Sequence, residues 1–99
     1  MKRIAYHPAA RAEFEAEVLY CENERSGAGP RLRKDLIATL ALIDAYPEIG
    51  RPGTDGVRRI VTRAYHFIVH YEMIGGLIVI FAIAHPAREP AYWNARRTS

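Results

Sequence analysis

The chain has 99 residues, of which 49% are hydrophobic, and a formal net charge of +3. This length suits one domain, residues 1–99, with a small core. The single cysteine, Cys21, excludes an internal disulfide and a cysteine-rich metal site, which fits a reducing compartment. No apolar segment follows the first charges as in a signal peptide, and the longest apolar run, Leu77–Ala84, is far shorter than the roughly 20 residues that span a bilayer. We therefore expect a cytoplasmic protein without membrane contacts.

Charge is distributed unevenly along the chain. Residues 1–50 contain seven Lys/Arg and eight Asp/Glu, a net charge of −1, whereas residues 51–99 contain seven Arg and three acids, a net charge of +4. Because a guanidinium donates two parallel hydrogen bonds to a carboxylate or phosphate, the second half indicates an anionic partner, either nucleic acid or an acidic protein segment. A solvated surface with a mild excess of arginine is the alternative.

The first half of the chain predicts a short strand and a helical hairpin. Lys2–Tyr6 is a candidate strand, and His7-Pro8 begins a helix because proline is favoured at the first helical position. The apolar stripe of this helix has helical spacing: Ala10, Phe14, Val18 and Cys21. A Gly/Pro link leads to a second helix, from Pro30 or Arg31 to Tyr46. Its stripe consists of Leu32, Leu36, Leu40 and Ile43, widened by Ile37.

The second half predicts a sheet. Glu48–Gly56 is predicted as a loop, Val57–Thr62 and Tyr65–Met73 as strands, and Gly75-Gly76 as a tight turn before a third strand, Leu77–Ala84. The continuous apolar character of this third strand predicts that it is interior and covered on both faces. The predicted fold is α+β, a small single domain of order β-α-α-β-β-β, in which the helical hairpin packs on a mainly antiparallel sheet.

Polar and aromatic residues follow the last predicted strand. His85 is a candidate general acid or base, or it caps the strand end by bonding a backbone carbonyl. Arg88 is placed to bind a phosphate, or to pair with Glu89 or a helix carboxylate. Tyr92 and Trp93 are candidates for stacking on a base or anchoring a partner, or they close the end of the core. The residues alone leave these alternatives open.

Arginines cluster on or beside the first strand of the predicted meander. In a regular strand Arg59 and Arg63 share a face, and Arg58 points to the other face. Because burying an inward pair of arginines is costly, one face of this edge is expected to be open to solvent or to a ligand.

Three histidines raise the question of a metal site: His66, His70 and His85. No Asp, Glu or Cys obviously completes a ligand set with them, so no metal is predicted. The glycines do not follow a strand and open a helix as phosphate-binding and dinucleotide-binding motifs require, so no cofactor is predicted.

In combination, these features resemble the RelE/ParE superfamily of type II toxin–antitoxin toxins over nearly the whole chain. The landmarks are the opening YHPAARAEFEAEVLYC, the second helix ending ALIDAYPEIGRP, and GVRRIVTRAYHFIVHYEMIGGLIVIFAIAHPAREP with a closing YW. Taken together and in this order, the landmarks are specific for the superfamily, although no single landmark is specific by itself. The resemblance is nearer to the ParE-like, plasmid-stabilisation branch, and it implies the same β-α-α-β-β-β fold.

Function divides within the superfamily. ParE-like toxins poison DNA gyrase by binding it, whereas RelE-like toxins are ribosome-dependent mRNA endonucleases. For the nuclease, the resemblance implies that Arg59 and Arg88 contact the scissile phosphate, that Tyr92 has a positioning role and that His85 substitutes as acid or base. Two further basic positions of that branch are apolar here: Ile68 and Val61. Loss of one such group costs on the order of 2.7–4 kcal/mol of transition-state stabilisation, which favours the ParE-like interpretation.

The resemblance also implies partners. A cognate antitoxin, a small protein with a disordered tail that folds on binding, is expected to wrap the hairpin and sheet in a hetero-oligomer. Target or antitoxin contacts are expected at Arg58, Arg59, Arg63, Trp93 and Arg96. DNA gyrase is the expected target, a ribosome with mRNA is the alternative, and a non-toxic relative that only binds antitoxin is a third possibility.

Overall fold

Two helices and five strands make up the fold in a computed structural model, which describes residues 3–53, 55–88 and 92–98. In chain order they are β1 (Ile4–Tyr6), α1 (Pro8–Glu24), α2 (Ala28–Ala45), β2 (Arg51–Pro52), β3 (Arg58–Val61), β4 (Ile68–Ile74) and β5 (Leu77–Ala84). A 3-10 helix follows at Asn94–Thr98. The predicted α+β class is confirmed. Neither helix in these ranges has the length and apolar character needed to cross a membrane.

The strands form one sheet in the order β1-β5-β4-β3-β2. β1 pairs in parallel with β5, and the other neighbours are antiparallel, so the predicted meander is confirmed for β3, β4 and β5. Gly75 and Gly76 make the predicted tight turn between β4 and β5. Both have positive φ, 56° and 80°, which glycine adopts without steric cost.

Two predicted strand boundaries are wrong. The predicted loop Glu48–Gly56 contains β2, which pairs with β3; a two-residue edge strand that includes a proline has no alternating pattern to reveal it. β4 begins after the predicted start at Tyr65, because residues 62–66 form a turn in which His66 has φ 59°. The predicted start of β1 at Lys2 lies outside the described residues.

The second helix begins earlier than the predicted Pro30. The carboxylate of Glu22 in α1 accepts hydrogen bonds from the backbone N–H groups of Gly27 and Gly29, both at 3.0 Å. These bonds satisfy donors that a helix start leaves unpaired, and they replace a side-chain cap. Ile37 does not widen the buried stripe as predicted; it is 51% exposed and lines a groove between the helices.

Each face of the sheet carries an apolar cluster. The predicted helix stripes pack on one face, where they meet the inward residues of the strands: Phe14, Leu32, Leu36, Leu40, Ile43, Val69, Tyr71, Ile78, Ile80 and Ile83. The other face is covered from the C-terminal segment by a second cluster: Val57, Phe81, Ala82 and Trp93. The interior position of β5, predicted from its apolar run, is therefore confirmed.

A bulge sits at the centre of the β4–β5 pair. Tyr71 pairs with Ile80 and His70 with Ala82, so Phe81 is an extra residue on β5. Bulges re-aim neighbouring side chains. Here Phe81 and Ala82 both contribute to the second cluster, beneath Trp93.

Candidate functional site

An open cleft of about 490 Å³ lies where the chain leaves β5 beside α1. We call it the α1–β5 cleft, and its lining residues are Glu17, Tyr20, Cys21, Tyr65, Phe67, His85, Ala87 and Arg88. Of the residues predicted as catalytic, His85 and Arg88 lie in its wall. Sequence analysis did not find the opposite wall, because the helix face and the 62–66 turn meet only in the folded chain.

Asp35 of α2 positions the turn that forms part of this cleft. Its carboxylate accepts hydrogen bonds from the backbone N–H groups of Ala64 at 3.1 Å and Tyr65 at 2.8 Å. Burial raises the pKa of Asp35, but the hydrogen bonds from Tyr65, Thr62 and Ala64 outweigh it and hold the pKa below its usual value. Asp35 therefore stays ionised and holds Tyr65 at the cleft.

His85 is exposed, and its ring is held on two sides. Its Nδ1 accepts a hydrogen bond from the backbone N–H of Ala87 at 3.0 Å, and its ring meets Phe67 edge-on with centroids 5.5 Å apart. Because Nδ1 accepts, the proton of the neutral ring is on Nε2. The His85 ring therefore accepts a hydrogen bond from a backbone N–H, whereas the structural alternative predicted from the sequence was a bond from the ring to a backbone carbonyl. Nε2 can donate a hydrogen bond to a ligand in the cleft.

Arg88 and Arg96 lie on the ring of Tyr92. The Cζ atom of Arg88 is 3.8 Å from the ring centroid, and that of Arg96 is 5.0 Å away. Burial and the charge of Glu13 raise the pKa of Tyr92, so its hydroxyl keeps its proton at neutral pH. No carboxylate in residues 3–53, 55–88 or 92–98 forms an ion pair with Arg88, and its predicted partner Glu89 lies outside the described residues.

Trp93 and Arg96 have structural contacts. Trp93 is 5% exposed and packs against His70 and Phe81, with ring centroids 4.7 and 6.1 Å away. Arg96 donates to Glu13 Oε2 at 2.6 Å and to the carbonyl of Phe81 at 3.0 Å. Of the two roles considered for Trp93, the structure places it in core packing. Glu13 was missed in the sequence, because its contact with Arg96 depends on tertiary packing.

His70 lies buried beneath Trp93. Burial lowers the pKa of His70 most, and the charge of Arg59 lowers it further, so that the pKa falls from 6.5 to about 4. The charge of Asp55 acts in the opposite direction and raises the pKa. The ring is therefore neutral at physiological pH. Across the described parts of the chain, no group of three or more His, Cys, Asp or Glu residues is placed to hold a metal ion.

The predicted arginine cluster divides between the two faces of the sheet. Arg58 donates to the carbonyls of Glu48 at 3.0 Å and Gly50 at 2.8 Å, so its guanidinium holds the preceding loop. Arg59 is exposed on the opposite face, as its predicted alternation requires. Arg63 is also exposed, but it lies beyond the end of β3 and is not on a regular strand with Arg59.

A family model described as "ParE toxin of type II toxin-antitoxin system, parDE" matches residues 4–90. The chain belongs to the ParE toxin family. It is therefore the toxin of a type II toxin–antitoxin system, and its family implies a cognate antitoxin as partner. No curated protein matches the chain. The ParE match includes His85 and Arg88, and it ends before Tyr92, Trp93 and Arg96.

Proposed function

We propose that this ParE-family toxin inhibits growth by binding DNA gyrase in the cytoplasm, and that a cognate antitoxin neutralises it in a hetero-oligomer. The observation that carries the proposal is the separation of the two arginines that a nuclease would need on one phosphate. Arg88 lies on Tyr92 beside the α1–β5 cleft, whereas Arg59 is two strands away and is not part of the cleft lining. Val61 and Ile68 pair with each other between them and supply no charge.

The gyrase proposal is tested with purified toxin released from its antitoxin. We expect it to inhibit DNA supercoiling by gyrase, and we expect addition of antitoxin to restore supercoiling. The same preparation is added to ribosomes programmed with a defined mRNA, and the message is read by primer extension. Undiminished supercoiling together with a new cleavage in the A-site codon would overturn the proposal.

A ribosome-dependent mRNA endonuclease is the second candidate, and the geometry of His85 favours it. The exposed ring offers an Nε2–H hydrogen-bond donor within the same cleft as Arg88, and the two groups together suit a phosphate ligand. Tyr92 then positions Arg88, and Arg59 contributes charge. Cleavage that is lost in both His85→Ala and Arg88→Ala establishes this function. A chain that inhibits neither target and permits growth when expressed alone is a non-toxic, antitoxin-binding relative.

The groove between the helices supports the antitoxin proposal. It has a volume of about 770 Å³, its floor includes Leu19 and Ile37, and the Glu15–Arg33 ion pair lies at its side. Leu19 is 62% exposed. An amphipathic segment that folds on binding buries such residues and gains the apolar contact that the isolated toxin lacks. The antitoxin's acids are expected to pair with toxin arginines, so Arg59→Glu should raise the Kd of the complex.

A further inference from the structure

One end of the molecule carries a patch of exposed apolar side chains. It lies where α2 ends beside the turn between β4 and β5, next to the start of β1. Six large apolar residues are exposed there: Leu42, Tyr46, Ile49, Met73, Ile74 and Leu77. We call this surface the apolar end. Exposed apolar residues that are scattered singly need no explanation, but a contiguous group of them marks an interaction surface.

The members of the apolar end are neighbours in the fold. Leu42 and Tyr46 are four residues apart at the C-terminal end of α2, so they lie on one side of the helix. Tyr46, Ile49 and Met73 line one open cleft of about 600 Å³, and the two remaining residues pair directly across the β4–β5 hairpin. The linings of the helical groove and of the α1–β5 cleft include none of the six. The apolar end is therefore a third surface.

The tip of the β4–β5 hairpin projects from this end. Apart from their chain neighbours, no atom in the described parts of the chain lies within 4 Å of a Cβ placed on Gly75 or Gly76. Because side chains alternate between the faces of a strand, Met73 faces the helices with Tyr71, whereas Ile74 and its pair across the hairpin face the opposite side. A flat surface cannot cover both faces of a projecting tip, so a partner has to offer an apolar recess.

The chain itself offers such a recess, because the cleft of the apolar end lies beside the tip. The loop that forms the cleft wall is held by hydrogen bonds. The Tyr71 hydroxyl donates to the carbonyl of Pro47 and accepts from the N–H of Gly50, both at 2.8 Å. Arg58 also donates to the carbonyl of Glu48 at 3.0 Å. A recess that is already ordered binds without the entropic cost of fixing a loop.

Charges around the apolar end are compensated within the chain. Three pairs of opposite charge border it: Arg3 with Asp44, Glu72 with Arg97, and Arg58 beside Glu48. A two-fold contact places a surface against its own copy, so a net charge in that surface would repel itself. The whole chain has a net charge of +3, which opposes self-association, but these pairs cancel locally. They favour neither an acidic nor a basic partner, and they permit a second copy.

We propose that the apolar end binds a second copy of this chain, with the hairpin tip of each copy seated in the cleft of the other. Each protomer supplies one tip and one recess, so the contact is symmetric and closes after two copies. Ile74 and Leu77 then pack against Tyr46 and Ile49 of the partner subunit. This goes beyond the proposed function, because the helical groove and the α1–β5 cleft stay free in the pair.

Self-association of the purified full chain is measured by sedimentation equilibrium. We expect the average mass to rise from monomer toward dimer as the concentration approaches roughly 0.5 mM, because a contact of this size is weak. Ile74→Glu and Ile49→Lys should each weaken association about tenfold or more, because each buries an unpaired charge. Val61→Glu and Val61→Lys add the same charges at an exposed position on β3, at the other end of the sheet, and should leave association unchanged.

An equimolar mixture of the Ile74→Glu and Ile49→Lys proteins tests whether the tip meets the cleft. In a mixed dimer the introduced glutamate faces the introduced lysine, and the second tip and cleft keep their isoleucines. We expect the mixture to recover the association that each variant alone has lost. A contact between two tips would not recover, because no lysine would then face the glutamate. Thermal melts at low concentration confirm that each variant is folded.

Three results would overturn the proposal. The first is a chain that melts normally and stays monomeric at the highest concentration. The second is association that both substitutions leave unchanged, or that the mixture does not recover. The third is a monomeric chain whose binding to antitoxin or to gyrase is weakened by Ile74→Glu and not by Val61→Glu, which would assign the apolar end to that protein. Sedimentation needs neither gyrase nor ribosomes, so its outcome is separate from that of the proposed function.

Discussion

The guanidinium of Arg96 donates to the carboxylate of Glu13 at 2.6 Å, although 83 residues separate them in the chain. The Arg96 side chain is 13% exposed and that of Glu13 is 32% exposed, so the pair is partly withdrawn from water. Tyr92 lies against Arg96 and reaches toward the same carboxylate. This contact fastens the C-terminal segment to α1, beside the cleft that contains His85 and Arg88.

Removal of the Glu13 charge should destabilise the fold. Glu13→Gln leaves a largely buried arginine without its carboxylate, which we expect to cost about 1–3 kcal/mol of unfolding free energy in urea titrations. Glu15→Gln is the matched control, since its partner Arg33 is 45% exposed and the pair lies in solvent. That variant should lose less than about 1 kcal/mol. Equal losses in the two variants would contradict the role assigned to burial.

Trp93→Ala should lower the Tm. The indole is buried against His70 and Phe81, and truncation of a core aromatic costs about 3–5 kcal/mol. Tyr46→Ala removes an aromatic ring that is 64% exposed and should change the Tm little. Calorimetry and a growth assay are run on the same variants. A Trp93→Ala protein that melts normally but is no longer toxic would identify Trp93 as a contact residue of the target.

His70 should make stability depend on pH. Its folded pKa is about 4, against 6.5 in the unfolded chain. Between these values the unfolded chain binds a proton that the folded chain excludes, so stability falls as the pH is lowered through this window. The loss of stability that is linked to His70 reaches about 3 kcal/mol once the pH is below the folded pKa.

The His70 contribution is measured by urea unfolding between pH 7 and pH 4. His70→Gln should show a shallower loss of stability over this window than the unmodified protein, because the proton-linked term is absent. Imidazole chemical shifts provide a direct check and should report a neutral His70 ring at pH 5. A His70 ring that titrates near 6.5 in the folded protein would refute the prediction.

The groove between the helices offers a test of antitoxin binding. Ile37→Glu places a charge in its apolar floor and should raise the Kd of the antitoxin complex about tenfold or more, by isothermal titration calorimetry. Ala41→Glu adds the same charge at an exposed position of α2 outside the groove and should have little effect. If both substitutions weaken the complex equally, net charge rather than the groove governs binding.

Periodic, strongly buried elements were predictable from the sequence, and tertiary contacts were not. The apolar stripe of α2 repeats every three or four residues, and the unbroken apolar run of β5 reflects burial on both faces. Each of these elements can therefore be recognised from its own segment of the sequence. β2 is too short to show an alternating pattern. The bulge at Phe81 lies within a continuous apolar run, so no change in residue type marks it in the sequence. The roles of Arg58 and Glu13 depend on carbonyls and charges brought together only by folding.

The same limit applies to the candidate site. His85 and Arg88 were identified because polar residues directly after a buried strand must emerge at its end. Asp35 and Tyr65, which shape the opposite side, come from distant segments. Nothing in the sequence separated Arg59 from Arg88 as ligands of one phosphate. The order of the strands separates them, because β4 lies between β3, which contains Arg59, and β5, which precedes Arg88.

The position of β1 has a consequence for how the toxin is made. Ile4 pairs with Ile78, so the first strand to leave the ribosome finds its neighbour in the last strand to be synthesised. Contacts between such distant segments slow folding, because the intervening chain must first be ordered. The helical hairpin exists as a chain segment well before the sheet can close. A chain that ends before β5 lacks the strand that joins β1 to β4, so it cannot form the sheet on which the helical hairpin packs.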